Sequence, residues 1–498
     1  MSIPVSAPVS AGAWQRPARR RSELGMIVLV LLLTGGLYTL SSLGTAGSLP
    51  TDIIPFLALV FVLMLVAHLS LRRLAPQADP VLLPLAALLN GAGYVFIAGL
   101  NSSEASAQAT WTAVSVVAFV ATLAIFPRAV NLERYRYSFA FVGVVLLVLP
   151  LVPHIGEDVN GARLWVHLGP LNFQPEEFAK LALAIFFASI LAERADLLAT
   201  GTRRIGRWLV LEPRYLAPLL GAWCVSLLIL LAENDLGSSF LFFTLFVGLL
   251  WVATGRPAYL ALGAGLFTAG AWFALDFVHH AQTRVQAWLD PWAHFATSGY
   301  QIIEGWFALA AGGLWGVGPG QGNPGVIPEA STDFIFASIG EEIGLVGLTA
   351  LLITYLLMMG SGLRIALRSQ RSFSKLLATG FSMLLIVQVF VVVGGITRII
   401  PITGITLPFV SYGGSSLVSN YILLAILLRI SDDNAIEQAV AEEALAGVGL
   451  QPVTAANNWP VDTGPVNTGP LDAGPLDAGP VHADPVHAGR VHSEPARP

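Results

Sequence analysis

Long apolar runs, each closed by charged or turn-forming residues, recur along the chain from residue 26 to about residue 430. A helix that crosses the hydrocarbon core of a bilayer needs about 20 mostly apolar residues. On that measure twelve helices are predicted, starting near residues 26, 52, 80, 109, 138, 177, 215, 237, 258, 334, 376 and 414. The first run follows Arg16, Arg19, Arg20 and Arg21, so the positive-inside rule puts a basic N-terminal segment, residues 1–25, in the cytoplasm. That run is too long and too far from a small-residue cleavage site for a secretory signal, and it is read as a retained helix. Residues 26–137 then hold the first four helices and residues 138–430 the remaining eight.

An inside start with twelve spans assigns every basic residue to a side. Only Arg163, Lys180, Arg284 and Arg398 fall on the outer side, out of 26 Lys and Arg, so the charge bias agrees with the topology and places both termini in the cytoplasm. A cation set against that bias calls for a carboxylate partner or an anionic ligand outside.

Composition narrows the class. With 55% hydrophobic and 11% charged residues the chain is excluded as an ordinary soluble enzyme, for which roughly 25% charged is usual. The lone Cys224 excludes an internal disulfide framework and a CxxC redox motif. No nucleic-acid partner is expected. From residue 431 to 498 small and charged residues give way to a five-residue period, GPVNT, GPLDA, GPLDA, GPVHA, with almost nothing to bury, which predicts a disordered, Pro-rich cytoplasmic tail.

The polar chemistry gathers in the outer loops. The run GARLWVHLGPLNFQPEEFAK (161–180) starts a helix with Glu176 and Glu177, where acids suit the helix dipole. Lys180 follows at ion-pair spacing, which leaves open an internal pair or, with Arg163, a cationic site for a phosphate. In ENDLGS (233–238), Asp235 suits an N-cap. The loop 278–333 is far longer than a connector and predicts a folded functional element. It carries Arg284, Asp290 and His294, a glycine run at 312–322 that lacks the GK[ST] ending of a phosphate loop, and PEASTDF (328–334). His279, His280 and His294 lack metal-ligand spacing. Glu341 and Glu342 fall about two turns into span ten, with Arg398 as a candidate partner. Pro and Gly at membrane depth in PITGITLPFVSYGGSS (401–416) point to a groove.

These runs, with DPWAHFATSGYQII (290–303) and PEASTDFIFASIGEEIGLVG (328–347), resemble in order the SEDS family, the RodA, FtsW and SpoVE proteins of bacterial cell-wall synthesis. The resemblance covers roughly residues 155–430. It implies an all-α polytopic membrane protein, a SEDS-like bundle of about twelve helices made of a ten-helix core and two added N-terminal helices. It also implies an inverting peptidoglycan glycosyltransferase in the bacterial cytoplasmic membrane, polymerising lipid II at the outer face for elongation or division. The partner would be a class B penicillin-binding protein that cross-links the strands.

On that resemblance Arg284, Asp290 and His294 are the catalytic neighbourhood, and Arg163, Glu177, Lys180, Asp235, Glu329, Asp333 and Arg398 bind substrate. The chemistry needs a base for the attacking sugar hydroxyl and positive charge for the departing diphosphate, from side chains or from a divalent cation, Mg or Mn. No residue is assigned as a metal ligand. One departure matters: His294 stands where the family carries an Asp held to be essential. An imidazole can serve as base, Asp290 could take the role, or activity is lost and a scaffold that activates a transpeptidase remains. A lipid-linked precursor transporter is the other alternative; it predicts polar groups on both faces and through the middle. Smaller departures are Glu176 for Ser, Asn234 for Pro, and Gly394-Gly395 in place of an Asn-Ile-Gly run.

Overall fold

The computed structural model describes residues 17–447, apart from 51–52, 160–161, 169–170, 201, 206–207 and most of 212–234, where 221, 224, 225, 228 and 233 are described. The seventh span, expected from residue 215, lies largely outside the described residues, and the repeat tract with its histidines lies wholly outside them. Residues Met1–Ala444 form one compact unit.

The described helices, in chain order, are α1 (Pro17–Ala46), α2 (Ile53–Leu74), α3 (Leu82–Leu100), α4 (Ser102–Ile125), the short α5 (Asn131–Arg134), α6 (Arg136–Val148) and α7 (Glu176–Thr200). They continue with α8 (Leu236–Thr254), α9 (Ala258–Phe277), α10 (His279–Leu289), α11 (Tyr300–Gly312), α12 (Ile335–Arg368), α13 (Ser372–Ile396) and α14 (Gly414–Gly447). Nine of these described helices, α1 to α4, α8, α9 and α12 to α14, are long and apolar enough to cross a membrane. The protein is an all-α polytopic membrane protein with two small additions that the hydropathy pattern does not announce. Strands β1 (Gly156–Val159), β2 (Ala162–Leu168) and β3 (Leu171–Phe173) make an antiparallel sheet, and β4 (Thr202–Ile205) and β5 (Trp208–Leu211) a hairpin.

Three boundaries differ from expectation for local reasons. The fourth span begins at Ser102 rather than near 109, because Asn101 caps it by accepting from the Ser103 amide at 3.0 Å. The basic segment 1–25 does not end where the first helix starts. Helix α1 is under way by Pro17, and Arg20 is buried in protein, paired with Glu23 and donating to the Ala75 and Pro76 carbonyls at 2.5 and 3.2 Å. The tail does not begin at 431, since α14 runs on to Gly447. Its polar turn is engaged: Asp432, Ser431 and Asp433 accept from the Gln77, Asp79 and Ala129 amides at 2.7, 3.0 and 2.7 Å. Arg429 there donates to the carbonyls that end α2 and α4, Leu74 at 2.6 Å and Leu123 at 2.7 Å. One turn of α14 thus satisfies the orphan groups of two neighbouring helix ends.

Helix α13 runs against α7, α8 and α12, and α14 is buried through nearly all of residues 415–430. Helix α12 is broken at Gly344, whose φ of 63° a side chain would resist. The amides freed by the break, Leu345 and Val346, donate to Gly313 and Leu314 of the glycine run at 3.0 and 3.1 Å. The break therefore receives that run, and the irregular backbone there is satisfied by hydrogen bonds within the protein.

Candidate active site at the loop end of the bundle

The loop 278–333 folds over one end of the bundle, beside the start of α7, the start of α8 and the segment 401–416. At its centre is a knot of buried charge. Gln174-Pro175 opens α7, and the Gln174 amide donates to Ser415 at 2.9 Å, tying the helix start to α14. Glu177 and Lys180, 4% and 1% exposed, form an ion pair, and Ser419 of α14 donates to the same Glu177 oxygen at 2.9 Å. Asp235 caps α8, accepting from the Gly237 amide at 2.8 Å. Ser238 joins Asp235 to Glu176. Glu233 is buried beside them, and among the described residues neither of its carboxylate oxygens has a hydrogen-bond partner. Of the two roles left open for Lys180, the geometry realises the internal pair, because a cation in this low-dielectric position keeps the nearest carboxylate.

The loop carries the second cluster. Arg284 on α10 donates through one nitrogen to the carbonyls of Ile402 and Thr403 at 3.3 and 2.6 Å. The Thr332 hydroxyl lies 3.0 Å from Glu329 and 3.2 Å from Asp333. Burial first, and the charge of Glu329 second, push the Asp333 carboxyl up to about 6, with Thr332 and Arg284 pulling the other way. Asp333 is thereby brought beside Arg284, forty-nine positions earlier. The segments containing Tyr412 and Ser331 are tied together by the Tyr412 amide, which donates to the Ser331 carbonyl at 2.8 Å, and Ser411 donates to the Thr332 carbonyl at 2.5 Å.

The candidate base turn follows α10. Asp290 is exposed, and its Oδ1 accepts from the Ala293 amide at 3.1 Å, so it caps the turn that carries His294. The half-buried His294 ring has Nδ1 at 3.0 Å from the Asp290 carbonyl oxygen. Arg163 lies exposed on β2.

Two expected pairings are corrected. Arg398 is not the partner of Glu341 and Glu342. It adopts a left-handed backbone, donates to the Trp288 and Leu289 carbonyls at 2.8 and 2.5 Å and lies over the Trp306 ring. Glu341 and Glu342 instead accept from the glycine run, from the Asn323 amide at 3.0 Å and the Gly320 amide at 2.7 Å. Sequence reasoning missed Ser238, Ser419 and Thr332 as members of the site. Only proximity in space identifies them, since hydroxyl residues are common in every loop.

Beneath the second cluster lies an apolar cavity of about 300 Å³, lined by Leu236, Phe240, Phe243, Phe267, Ile400 and Ile402 among others. Its rim is the 400–403 segment that receives Arg284. A cationic group beside an apolar slot suits an amphiphile with an anionic head. Among the described residues no group of three or more His, Cys, Asp or Glu side chains is arranged to hold a metal ion. The divalent cation implied by the resemblance therefore finds no protein ligand set there, and no step is assigned to it.

Comparison with known proteins gives a consistent picture. The chain is 41% identical over 442 residues to the peptidoglycan glycosyltransferase RodA of Mycobacterium tuberculosis, covering 86% of this chain and 94% of that one. It is 36% identical over 304 residues to a probable peptidoglycan glycosyltransferase FtsW of Geobacter sulfurreducens, covering 60% and 78%. A solved peptidoglycan synthase complex that coordinates polymerization and crosslinking contains a chain of the same fold, with a TM-score of 0.51 at 27% identity, covering 76% of this chain and 98% of that one. The sequence profile of the cell cycle proteins FtsW, RodA and SpoVE matches residues 95–436, and the chain belongs to that family.

Proposed function

We propose that this protein is a peptidoglycan glycosyltransferase that polymerises lipid II at the outer face of the bacterial cytoplasmic membrane, with His294 as its base and a class B transpeptidase as its partner. The loop end then faces outward and both termini face the cytoplasm. The observation that carries the catalytic assignment is the contact between His294 Nδ1 and the Asp290 carbonyl. A carbonyl oxygen can only accept, so Nδ1 holds the proton and the Nε2 lone pair is left free to take another.

In the reaction the acceptor's sugar 4-hydroxyl attacks the anomeric carbon of the donor from the face opposite the diphosphate. Its proton passes to His294 Nε2 as the new glycosidic bond forms. The bond from the anomeric carbon to the diphosphate breaks, and the diphosphate leaves with the electron pair, giving inversion. Arg284 and Arg398 each spend only part of a five-donor guanidinium on backbone carbonyls. Their remaining N–H groups suit the departing diphosphate, and the apolar cavity suits the start of its polyprenyl chain. Glu177, Lys180 and Asp235 hold α7 and α8 in place behind these groups.

The test is glycan-strand formation from purified lipid II by the detergent-solubilised protein, alone and with a class B transpeptidase. His294→Ala should be inactive while His294→Asp polymerises, and Asp290→Asn, which keeps the turn cap, should retain far more turnover than Asp290→Ala. Full turnover by His294→Ala overturns the base assignment. Inert wild type in both settings, with activity gained in His294→Asp, would mark a degenerate member with a scaffolding role.

A further inference from the structure

Helix α1 lies outside the family match at 95–436, yet its loop end touches the glycine run. A Cβ on Gly44 would stand 2.1 Å from the Pro319 carbonyl oxygen, and a Cβ on Gly320 2.1 Å from the Ser41 carbonyl oxygen. No side chain fits either position, so the two backbones meet through glycine on both sides. The contact is also bonded: Gln321 Nε2 donates to the Gly44 carbonyl at 2.6 Å, and the Thr45 hydroxyl lies 3.4 Å from the Gly320 carbonyl.

The run is gripped from the other side by Glu341 and Glu342 through the Asn323 and Gly320 amides. It continues directly from α11, with the Gly316 amide donating to Gly312 at 2.7 Å. Thirteen residues of helix make a stiff link of about 20 Å. At its far end the Gly299 amide donates to the His294 carbonyl at 2.9 Å, and Ile303 donates back to Gly299. Midway, Trp306 donates to the Ile396 carbonyl at 2.9 Å.

We infer that the loop end of α1 is a positioning element for the transfer site: Ser41, Gly44 and Thr45 seat the glycine run, and through α11 that seat sets where the turn bearing Asp290 and His294 stands. The inference rests on the function proposed above. Helix α1 is then part of the catalytic assembly rather than an appended anchor, and its residues act on turnover through the turn without touching substrate.

The experiment compares Gly44→Val with Gly36→Val, a position on the same helix with open space around it, and with Gln321→Ala, in the full-length protein. Lipid II polymerisation gives kcat and KM, and hydrogen exchange follows residues 290–299 and 313–323. Gly44→Val should lower kcat about tenfold or more with KM little changed, since small displacements of reacting groups are costly, and should speed exchange in both segments. Gln321→Ala should move both readouts in the same direction by a smaller factor, and Gly36→Val should match wild type. A folded Gly44→Val protein with wild-type kcat, or faster exchange confined to 313–323, overturns the inference. If Gly44→Val does not fold, Gln321→Ala decides by the same readouts, because its side chain is exposed. If wild type fails to polymerise, the function falls, while transmission of the Gly44→Val change to 290–299 still decides whether α1 seats the turn.

Discussion

The buried knot at the start of α7 and α8 and the turn at 290–299 sit at the same end of the bundle and obey opposite rules. In the knot every group is withdrawn from water: Glu177, Lys180, Asp235 and Glu176 are engaged by one another and by Ser238 and Ser419. Burial first and the charge of Asp235 second push the Glu233 carboxyl up to about 8, which favours its uncharged form. In the turn the groups are exposed or half-buried and held by single backbone bonds, so a ring nitrogen is left over. Low dielectric makes an unpaired charge too costly to keep, whereas a solvated loop can leave a reactive atom without a partner. On the function proposed above, the motif with the most charge thus builds the site, and the motif with less supplies the base.

If that contrast is right, the two regions fail in opposite ways. The largest effect is expected at His294, where removing a general base costs on the order of 10²–10⁴ in kcat. Thermal unfolding of His294→Ala should nevertheless stay close to wild type, and a large loss of stability there would erase the distinction. Lys180→Met should do the reverse: breaking a buried pair costs roughly 3–5 kcal/mol, visible as a lowered Tm and poor recovery from the membrane. The double variant Glu177→Leu with Lys180→Met should regain most of that loss, since no charge is left alone; if it stays as unstable as the single variant, the pair is not what holds α7. Next in size is Glu342→Gln, which trades a charged acceptor for a neutral one at the Gly320 amide and should cost on the order of 1 kcal/mol. Faster hydrogen exchange at residues 313–323 is the readout, and unchanged exchange would mean that the Glu342 side chain does not hold the glycine run.

The smallest effect is in pH. The Asp333 carboxyl is raised from 3.8 to about 6, so the folded loop binds its proton more tightly than the unfolded chain does. Its contribution to stability is present at low pH and is lost as pH rises from about 4 to about 6, then stays flat. Asp333→Asn should reduce that slope in a pH series of unfolding curves, leaving the share that Asp433, also raised to about 6, supplies in the same window. A slope of the opposite sign would mean that Arg284 dominates Asp333 and that burial does not.

Much of the bundle was legible because hydropathy is a local property. The start of α8 beside Asp235 and the folded character of the long loop follow from short stretches read alone, while helical spacing offered the Glu177 and Lys180 pair as one of two readings that the structure decides. The sequence left Glu341 and Glu342 facing Arg398 because all three are charged groups in adjacent spans. The structure gives the acids to glycine-run amides about twenty positions earlier, and backbone amides carry no sign in a sequence. The end of the last helix was misjudged for a related reason. Ser431, Asp432 and Asp433 look like the start of a solvated tail until the Asp79, Gln77 and Ala129 amides stand beside them.

What the amino-acid order determined by itself is therefore the membrane class, nine of the twelve expected spans among the described residues and the identity of the polar motifs, since each depends on neighbours within one or two helical turns. Only the tertiary structure decided which charges are consumed and which remain. A carboxylate or guanidinium takes whatever partner lies within about 3 Å of it, and here those partners come from the 401–416 segment, the glycine run and the end of α1, tens to hundreds of residues away in the chain.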